Sequence, residues 1–138
     1  SAFHCSKSIS ANNFVFEVKM TIIQGDCGGM VLRYNSATGA GYIFFVCSNG
    51  SYQLARYSDF SASDETNLKN GSNSGITSGQ NTIAVVANGS TFTLYLNNTP
   101  LGNSITDSTY SQGDFGLISN DSTHTTEVVY NNARMWTL

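Results

Sequence analysis

An antiparallel sandwich of two β-sheets is the fold class that the sequence predicts, and three observations support it. Hydrophobic and polar residues alternate over about nine to eleven short segments, which is the pattern of half-buried strands. Turn signals rich in Gly, Asn and Ser separate these segments at intervals of roughly 8 to 12 residues. Apolar residues do not recur at helical spacing over any long stretch. We therefore expect an all-β fold made of two antiparallel sheets packed as a sandwich.

The clearest single element is a hairpin over residues 81–98, where two alternating segments flank Asn88-Gly89. An Asn-Gly pair is a strong hairpin signal, because both residues accept the positive φ that a tight turn between twisted strands requires. In the first strand of the hairpin the buried face carries aliphatic residues. In the second, Phe92, Leu94 and Leu96 share one face and Tyr95 lies on the other.

The strands before this hairpin follow the same logic. Residues 14–23 alternate cleanly between apolar and polar and predict one long strand. The next three predicted strands form a meander over residues 30–34, 41–46 and 51–57. Because 41–46 is an almost continuous apolar run, we expect it to be a central strand covered on both faces. We interpret Gly28-Gly29 as the start of a strand in a conformation that a Cβ would resist. The polar tract 58–80 is long for a loop, so we expect a short strand near 67–69 within it.

The remaining segments complete the two sheets. Residues 113–119 predict a short strand, and residues 126–138 predict a closing strand with a bulge at Asn131-Asn132. The chain has 138 residues, which fits one domain spanning 1–138. Residues 1–13 carry little pattern and form either an irregular lead-in segment or an edge strand.

Composition excludes several classes of protein. Hydrophobic residues make up 40% of the chain, which excludes a disordered chain, while only 11% are charged, and neutral Ser, Thr, Asn and Gly fill the surface as in many secreted β proteins. The formal charge is -3 and the six basic residues are scattered, which argues against a nucleic acid partner. No apolar run is long enough to insert this part of the chain into a membrane.

Cys27 and Cys47 lie near the outer ends of two strands that a turn joins, which brings them opposite each other. A cross-strand disulfide is expected if their Cα atoms lie within disulfide reach, and two buried free thiols are the alternative. Cys5 is left unpaired or bonded to something outside this chain. The cysteine spacing does not fit a zinc site.

The order of these segments resembles the concanavalin A-like lectin/glucanase superfamily over about residues 13–138. The resemblance is carried by Phe14-x-Phe-x-Val-x-Met, Gly28-Gly-Met-Val-Leu-Arg33, Gly41-Tyr-x-Phe, the 81–97 hairpin, Gly113-x-Phe-Gly-Leu and a last strand ending Asn132-Ala-Arg-Met-Trp. Within the superfamily it is nearest to laminin G-like and 3-keto-disaccharide-hydrolase-like bacterial jelly rolls. Such domains are appended to bacterial receptor-like kinases and to glycan-active proteins.

The resemblance implies an extracellular or cell-surface location, companion domains in a larger chain, and a carbohydrate or cell-wall glycan as partner. Glucanases of the superfamily carry E-x-D-x-x-E on a strand, and this chain lacks that motif, so we expect no enzyme activity. Many members hold a structural calcium, which loop residues could bind here, although no D-x-D-x-D string is present and we assign no cofactor. The loop aspartates in question are Asp26, Asp107, Asp114 and Asp121.

In sandwiches that resemble this one, sugars stack on aromatic rings of a concave sheet while planar polar groups take their hydroxyls. The side chains that we expect to line such a groove are Arg33, Tyr42, Gln53, Arg56, Tyr57 and Tyr95. Any of the tyrosines could equally be a residue at the rim of the core with its hydroxyl in water. Trp136 has the parity of an exposed residue and is as suited to covering a sheet edge as to binding a sugar.

The hypothesis that follows is a non-catalytic module that binds or senses a glycan as part of a larger protein. A structural or protein-interaction sandwich is the first alternative, and it predicts a large apolar surface patch. A glycan hydrolase of unusual type is the second, and it requires two carboxylates to converge in one pocket.

Overall fold

The computed structural model describes residues 2–7, 12–59, 61–120 and 123–138, with only the backbone of 2–7 and Ala62. It contains twelve strands and one short 3-10 turn. The strands are β1 (Ala2–Lys7), β2 (Phe14–Gln24), β3 (Cys27–Asn35), β4 (Ala40–Cys47), β5 (Ser51–Tyr57), β6 (Thr66–Ser72), β7 (Gln80–Asn88), β8 (Thr91–Leu96), β9 (Thr99–Pro100), β10 (Ile105–Thr106), β11 (Asp114–Asn120) and β12 (Glu127–Thr137).

The strands form two antiparallel sheets, which confirms the predicted sandwich. Sheet A has the order β1-β11-β3-β4-β5-β6, and sheet B has the order β10-β8-β7-β2-β12, with β9 paired to β8. The meander β3-β4-β5 is present and β6 extends it, so the strand expected within the polar tract exists and runs from Thr66 to Ser72. Within the described residues the 3-10 turn Ala62–Asp64 is the one helical segment, and it is far too short to span a membrane.

The main core lies between the two sheets. Sheet B contributes the inward side of β2, β7 and β8, where buried and half-buried residues alternate as the sequence predicts. Sheet A contributes the inward residues of β3, β4 and β5. The largest of the fully buried apolar side chains in this core are Phe14, Phe44, Phe92, Met20 and Met30.

Sheet A also buries its other face. Val31, Ile43, Phe45, Ala55 and Ile118 form a second apolar cluster there, and none is more than 7% exposed. They come from neighbouring strands and alternate with the residues of the main core. This confirms that β4 is a central strand covered on both faces, as its continuous apolar sequence predicts.

The 81–98 hairpin is confirmed, but its turn lies one residue later than Asn88-Gly89. Asn88 is the last residue of β7 and pairs with Thr91, so the two turn residues are Gly89 and Ser90. Gly89 has φ of 60°, and Asn88 does not have positive φ. A single positive φ at the first turn position is the pattern in which glycine is preferred there.

Gly28 and Gly29 serve close packing and not an unusual backbone angle. Both lie inside β3 and neither has positive φ. A Cβ on Gly28 would lie 2.8 Å from Tyr130 Oη, and a Cβ on Gly29 would lie 1.9 Å from the Phe44 carbonyl oxygen. Gly28 therefore leaves space for the side chain of Tyr130, which comes from β12 of sheet B, while Gly29 allows the close approach of the β4 backbone.

Tyr130 joins the two sheets through its hydroxyl. The hydroxyl accepts a hydrogen bond from Gly29 N–H at 2.8 Å and donates to the carbonyl of Ile118. These two backbone groups belong to β3 and β11, which are neighbours in sheet A. The predicted bulge in β12 is also present, with a register shift between Asn131 and Arg134 and φ of 51° at Asn132.

Candidate functional site

The six side chains predicted to line one groove lie in three separate places. Arg33, Tyr42 and Arg56 are at one end of the sandwich, between the sheets. Gln53 and Tyr57 are on the outer face of sheet A, and Tyr95 is on the outer face of sheet B. The prediction of a single groove containing all six is therefore wrong, and the structure brings only Gln53 and Tyr57 together in a surface depression.

Arg33 is a buried structural residue, so its predicted outward orientation is wrong. It is 2% exposed, and its guanidinium donates to the carbonyls of Tyr110 at 3.0 Å, Asn12 at 2.7 Å and Gly89 at 2.6 Å. The guanidinium carbon lies 4.9 Å from the ring centroid of Phe92. Burial lowers the pKa of Arg33. These three hydrogen bonds hold three chain segments together, while Nε is buried without a hydrogen-bond partner among the described residues.

Tyr42 and Arg56 meet at Asp107, and Tyr42 likewise faces the core instead of solvent. The Tyr42 hydroxyl donates to Asp107 Oδ1 at 2.6 Å and accepts from Tyr110 N–H at 3.1 Å. Arg56 forms an ion pair with the other oxygen of Asp107. Burial, followed by the contact with Asp107, raises the pKa of Tyr42 to about 12. This cluster lies at one end of the sandwich. The Tyr42 hydroxyl within it stays protonated.

A surface depression of about 320 Å³ lies on the outer face of sheet A. We call it the sheet A groove and define it by Phe45, Gln53, Tyr57, Glu65, Asn70 and the Cys27–Cys47 disulfide. Strand register explains the grouping. Gln53 of β5 pairs with Phe45 of β4 on one side and with Asn70 of β6 on the other, so the three side chains form one row across three strands.

Polar side chains form a hydrogen-bonded ladder along this groove. The Gln53 amide nitrogen donates to Glu65 Oε1 and, at 3.2 Å, to Asn67 Oδ1. Asn67 Nδ2 in turn donates to Asn70 Oδ1 at 3.1 Å. Within the described residues, Gln53 Oε1 and Asn70 Nδ2 have no protein partner. One acceptor and one donor are thus held in place and left available to a ligand.

A bulge between β5 and β6 sets the spacing of the ladder. Leu54 pairs with Lys69, yet Ala55 pairs with Asn67, so β6 has one extra residue at Leu68. A bulge of this kind turns the side chains on either side of it to a common face. Asn67 and Asn70 therefore lie on the same face of sheet A, on either side of the Gln53 amide.

Tyr57 and Glu65 form the other wall of the groove. The Tyr57 hydroxyl donates to Glu65 Oε2 at 3.3 Å. Burial raises the pKa of Tyr57, and the negative charge and hydrogen bond of Glu65 raise it further. The ring is 7% exposed and packs in the outer cluster of sheet A with Phe45. The groove thus has aromatic carbon beside carboxylate and amide oxygens.

The disulfide between Cys27 and Cys47 is present, as predicted, and it lies at the floor of the groove. The two residues are directly opposite in the β3–β4 register, with Cα atoms 4.0 Å apart. Asn120 of β11 pairs with Cys27 and lines the same depression. The cross-link fixes the two central strands of sheet A to each other where they line the groove.

The outer face of sheet B carries a different surface. Val15, Ala84 and Val86 form its floor, Tyr95 lies at one side and Trp136 at the other, and we call these five residues the sheet B patch. Trp136 is 47% exposed, in agreement with its predicted parity. The polar residues at the rim are Glu17, Thr82 and Asn98. The patch is mostly apolar, in contrast to the sheet A groove.

The loop aspartates proposed as calcium ligands have other partners or lie apart. Asp26 accepts hydrogen bonds from Thr123 N–H at 2.7 Å and His124 N–H at 2.9 Å, which lower its pKa. Asp107 is held by Tyr42 and Arg56, Asp114 is the first residue of β11 instead of a loop residue, and Asp121 lies outside the described residues. Among the described residues, no three His, Cys, Asp or Glu side chains converge as metal ligands usually do. A calcium site therefore remains a hypothesis from resemblance.

Sequence reasoning missed Glu65, Asn70 and Phe45 as groove residues. Phe45 lies in a run that is apolar on both faces, so its pattern does not show which face is inward. Glu65 and Asn70 lie in or next to β6, whose sequence TNLKNGS has no alternation that sets a register. Pairing β6 antiparallel to β5 would have placed Glu65 beside Tyr57, and only the structure supplies that pairing.

Solved structures of known proteins resemble this fold closely, although no protein-family model and no curated protein matches the sequence. The carbohydrate-binding module CBM66 from Bacillus subtilis has a TM-score of 0.84 at 20% identity, over 97% of this chain and 81% of that chain. Sheep galectin-11 in complex with glycerol has a TM-score of 0.70 at 10% identity, over 97% and 96% of the two chains.

A glucanase structure is also similar, though over less of its length. The Bacteroides ovatus mixed-linkage glucan GH16 protein has a TM-score of 0.59 at 10% identity, over 81% of this chain and 55% of that chain. At these identities the similarity is one of fold. The two sheets, their antiparallel order and these structural matches agree: the chain has the concanavalin A-like β-sandwich fold.

Proposed function

We propose that the chain is a non-catalytic module that binds a glycan in the sheet A groove. The observation that carries the proposal is the ladder of Gln53, Glu65 and Asn70 beside the rings of Phe45 and Tyr57. Sugar rings present hydroxyls at their edges and C–H groups on their faces. Fixed amide and carboxylate groups suit the former, while Phe45 and Tyr57, each 7% exposed, offer only a small area of aromatic carbon to the latter. The similarity to a carbohydrate-binding module and to galectins supports the same proposal.

We further infer that the module works outside the cytoplasm, at the cell surface or in the extracellular space, as part of a larger protein. The Cys27–Cys47 disulfide supports this location, because such bonds persist in oxidising compartments. The low content of charged residues fits a secreted β protein. Companion domains are expected from the sequence resemblance, and a cell-wall glycan would then be the natural partner.

The groove chemistry favours binding over hydrolysis. Glu65 is the one carboxylate among the described side chains that line the groove, whereas a retaining glycosidase needs two carboxylates roughly 5 to 5.5 Å apart. The neighbouring Asp64 is turned away and accepts hydrogen bonds from the hydroxyl and N–H of Ser58. We therefore expect no release of reducing sugar from any polysaccharide that the module binds.

Calorimetry across a panel of soluble polysaccharides tests the proposal. We expect at least one glycan to bind, and Gln53→Ala to weaken its binding about tenfold, because loss of hydrogen bonds to a positioned amide costs roughly 1 to 2 kcal/mol. Tyr95→Ala is the matched control, because Tyr95 lies on the opposite sheet. An equal loss in both variants, or a folded protein that binds no glycan, would sink the proposal.

A protein-interaction role is the second candidate, and the sheet B patch is the observation that favours it. An exposed tryptophan beside Tyr95 over a valine and alanine floor is a typical composition for the centre of an interface. The test is sedimentation velocity over a range of concentrations with wild type and Trp136→Ala. Self-association that Trp136→Ala abolishes would support this role, and a monomer at every concentration would argue against pairing of two copies.

A further inference from the structure

We propose that Glu65 makes the sheet A groove select uncharged glycans over the same glycans carrying carboxylates. The inference rests on the proposed function and adds a specificity determinant to it. Glu65 is the one ionisable acid or base, other than Tyr52 and Tyr57, among the described residues that line the groove. A ligand placed there therefore meets one negative charge. The position of the Glu65 carboxylate relative to the ladder decides which sugars bind more tightly.

The carboxylate of Glu65 is fixed by two donors. Gln53 donates to Oε1 and Tyr57 donates to Oε2, at 3.3 Å for the latter. Each carboxylate oxygen has about two acceptor sites, so both oxygens keep capacity for a further donor. A sugar hydroxyl that donates to Glu65 forms a charge-assisted hydrogen bond, which is stronger than a neutral one. An uncharged sugar thus gains from the carboxylate.

The described basic side chains that could compensate a ligand carboxylate are held elsewhere. Arg56 pairs with Asp107 on the inner side of sheet A, and Lys69 Nζ donates to the carbonyl of Asn103. Arg33 is buried. Lys19 and Arg134 belong to β2 and β12 in sheet B. Among the side chains that the structure describes, none of the basic ones lines the groove.

A sugar carboxylate is the opposite case. Unlike a hydroxyl, it has no proton to donate to Glu65 when ionised, and two like charges a few ångströms apart repel each other. The net charge of -3 adds a weaker repulsion at longer range. The same side chain therefore strengthens the binding of a neutral sugar and weakens that of its uronic acid counterpart.

The experiment compares matched polysaccharide pairs that differ only at C6. Glucan with C6-oxidised glucan of the same linkage, and β-1,4-mannan with mannuronan, are titrated into wild type and Glu65→Gln at low and high salt. For any pair that binds, we expect the uncharged member to bind wild type about fivefold or more tighter, because about fivefold is expected for like charges roughly 4 Å apart even with the full screening of bulk water. Glu65→Gln should bring the ratio close to one.

Asp59→Asn is the matched control, because it removes one negative charge from an exposed loop residue outside the groove. It should leave the preference unchanged. An equal affinity of wild type for both members, or a preference that survives Glu65→Gln, would overturn this inference and leave glycan binding standing. Failure of wild type and Glu65→Gln to bind any glycan would overturn the proposed function itself, and this inference with it.

Discussion

The outer faces of sheet A and sheet B differ in how deeply their side chains are buried. On sheet A, Val31, Ile43 and Ile118 are buried on the side away from the main core. On sheet B, the corresponding side carries half-buried residues and an exposed Trp136. The sheet with two buried faces also holds the disulfide and the polar ladder. Packing on both faces fixes the strands of sheet A, and a fixed platform is what a pre-organised binding groove needs.

The largest expected effect tests this contrast directly with one aromatic residue on each outer face. Phe45→Ala should lower the free energy of unfolding by about 3 kcal/mol or more, because the ring is almost fully buried. Tyr95→Ala should cost less than about 1 kcal/mol, since its ring lies at a surface patch. Urea denaturation measures both. Equal losses would show that the two outer faces are equally packed.

The disulfide gives the next prediction. Reduction of Cys27–Cys47, or the double variant Cys27→Ala/Cys47→Ala, should lower stability by about 3 kcal/mol, the value expected for a cross-link that closes a loop of this length. Denaturation with and without reductant measures the change. The double variant should not respond to reductant. We also expect glycan binding to fall, because the cross-link forms the floor of the groove.

Tyr130 tests how far sheet A depends on sheet B. Tyr130→Phe removes the hydroxyl that bonds to Gly29 N–H and the Ile118 carbonyl while keeping the ring. We expect a loss of roughly 1 to 3 kcal/mol, because two partly buried backbone groups lose a partner. Tyr95→Phe is the control for removing a tyrosine hydroxyl at a surface and should be close to neutral. A Tyr130→Phe variant with an unchanged free energy of unfolding would show that the hydrogen bonds of the Tyr130 hydroxyl do not stabilise the contact between the two sheets.

The smallest expected effect concerns pH at Asp107. Burial tends to raise the pKa of this carboxyl, but hydrogen bonds from Tyr42 and Thr109 and the charge of Arg56 outweigh it and hold the pKa below the ordinary value for an aspartate. A depressed folded pKa stabilises the fold above the unfolded pKa, and this contribution is lost as pH falls through the folded value. The stability advantage of wild type over Asp107→Asn should therefore shrink as pH drops below about 4.

Urea denaturation of both proteins between pH 6 and pH 2 measures this narrowing. Other carboxylates contribute equally to the two curves, so only the difference between them reports on Asp107. A difference that stays constant over the range would show that the hydrogen bonds and ion pair at Asp107 do not favour its charged form.

Alternation of residues predicted the strands well because most of them bury one face. It failed at Arg33 for a physical reason. Arg33 has φ of 48°, and the register of β3 and β4 shifts between Leu32 and Asn35, so the side chain turns inward over Phe92 although its parity places it outward. Nothing in the local sequence shows this irregularity. Parity arguments hold only where the ladder is unbroken.

The groove was only partly predictable for a related reason. Gln53 and Tyr57 lie on a strand with readable alternation, and both line the depression. Glu65 enters it through the pairing of β5 with β6, a polar strand with a bulge. Tyr42 lies in β4, which is apolar throughout, so the sequence does not show which face it takes. Arg56 has the opposite parity to Gln53 and Tyr57 on β5 and pairs with Tyr42, so it lies on the inner face with Tyr42 and outside the groove. Strand pairing, rather than residue type, decides which polar groups meet.

The hydroxyl of Tyr130 also bears on the order of folding. It reaches back 101 residues to Gly29, and β3 is part of the first meander to leave the ribosome. Strands β3 to β6 of sheet A can therefore pair early, but the space beside Gly28 is filled only after β12 has been made. Contacts this distant in sequence are slow to form. In nascent chains that lack β12, the backbone of β3 near Gly29 should thus lack its contact with Tyr130. We expect proteases to cut such chains there first.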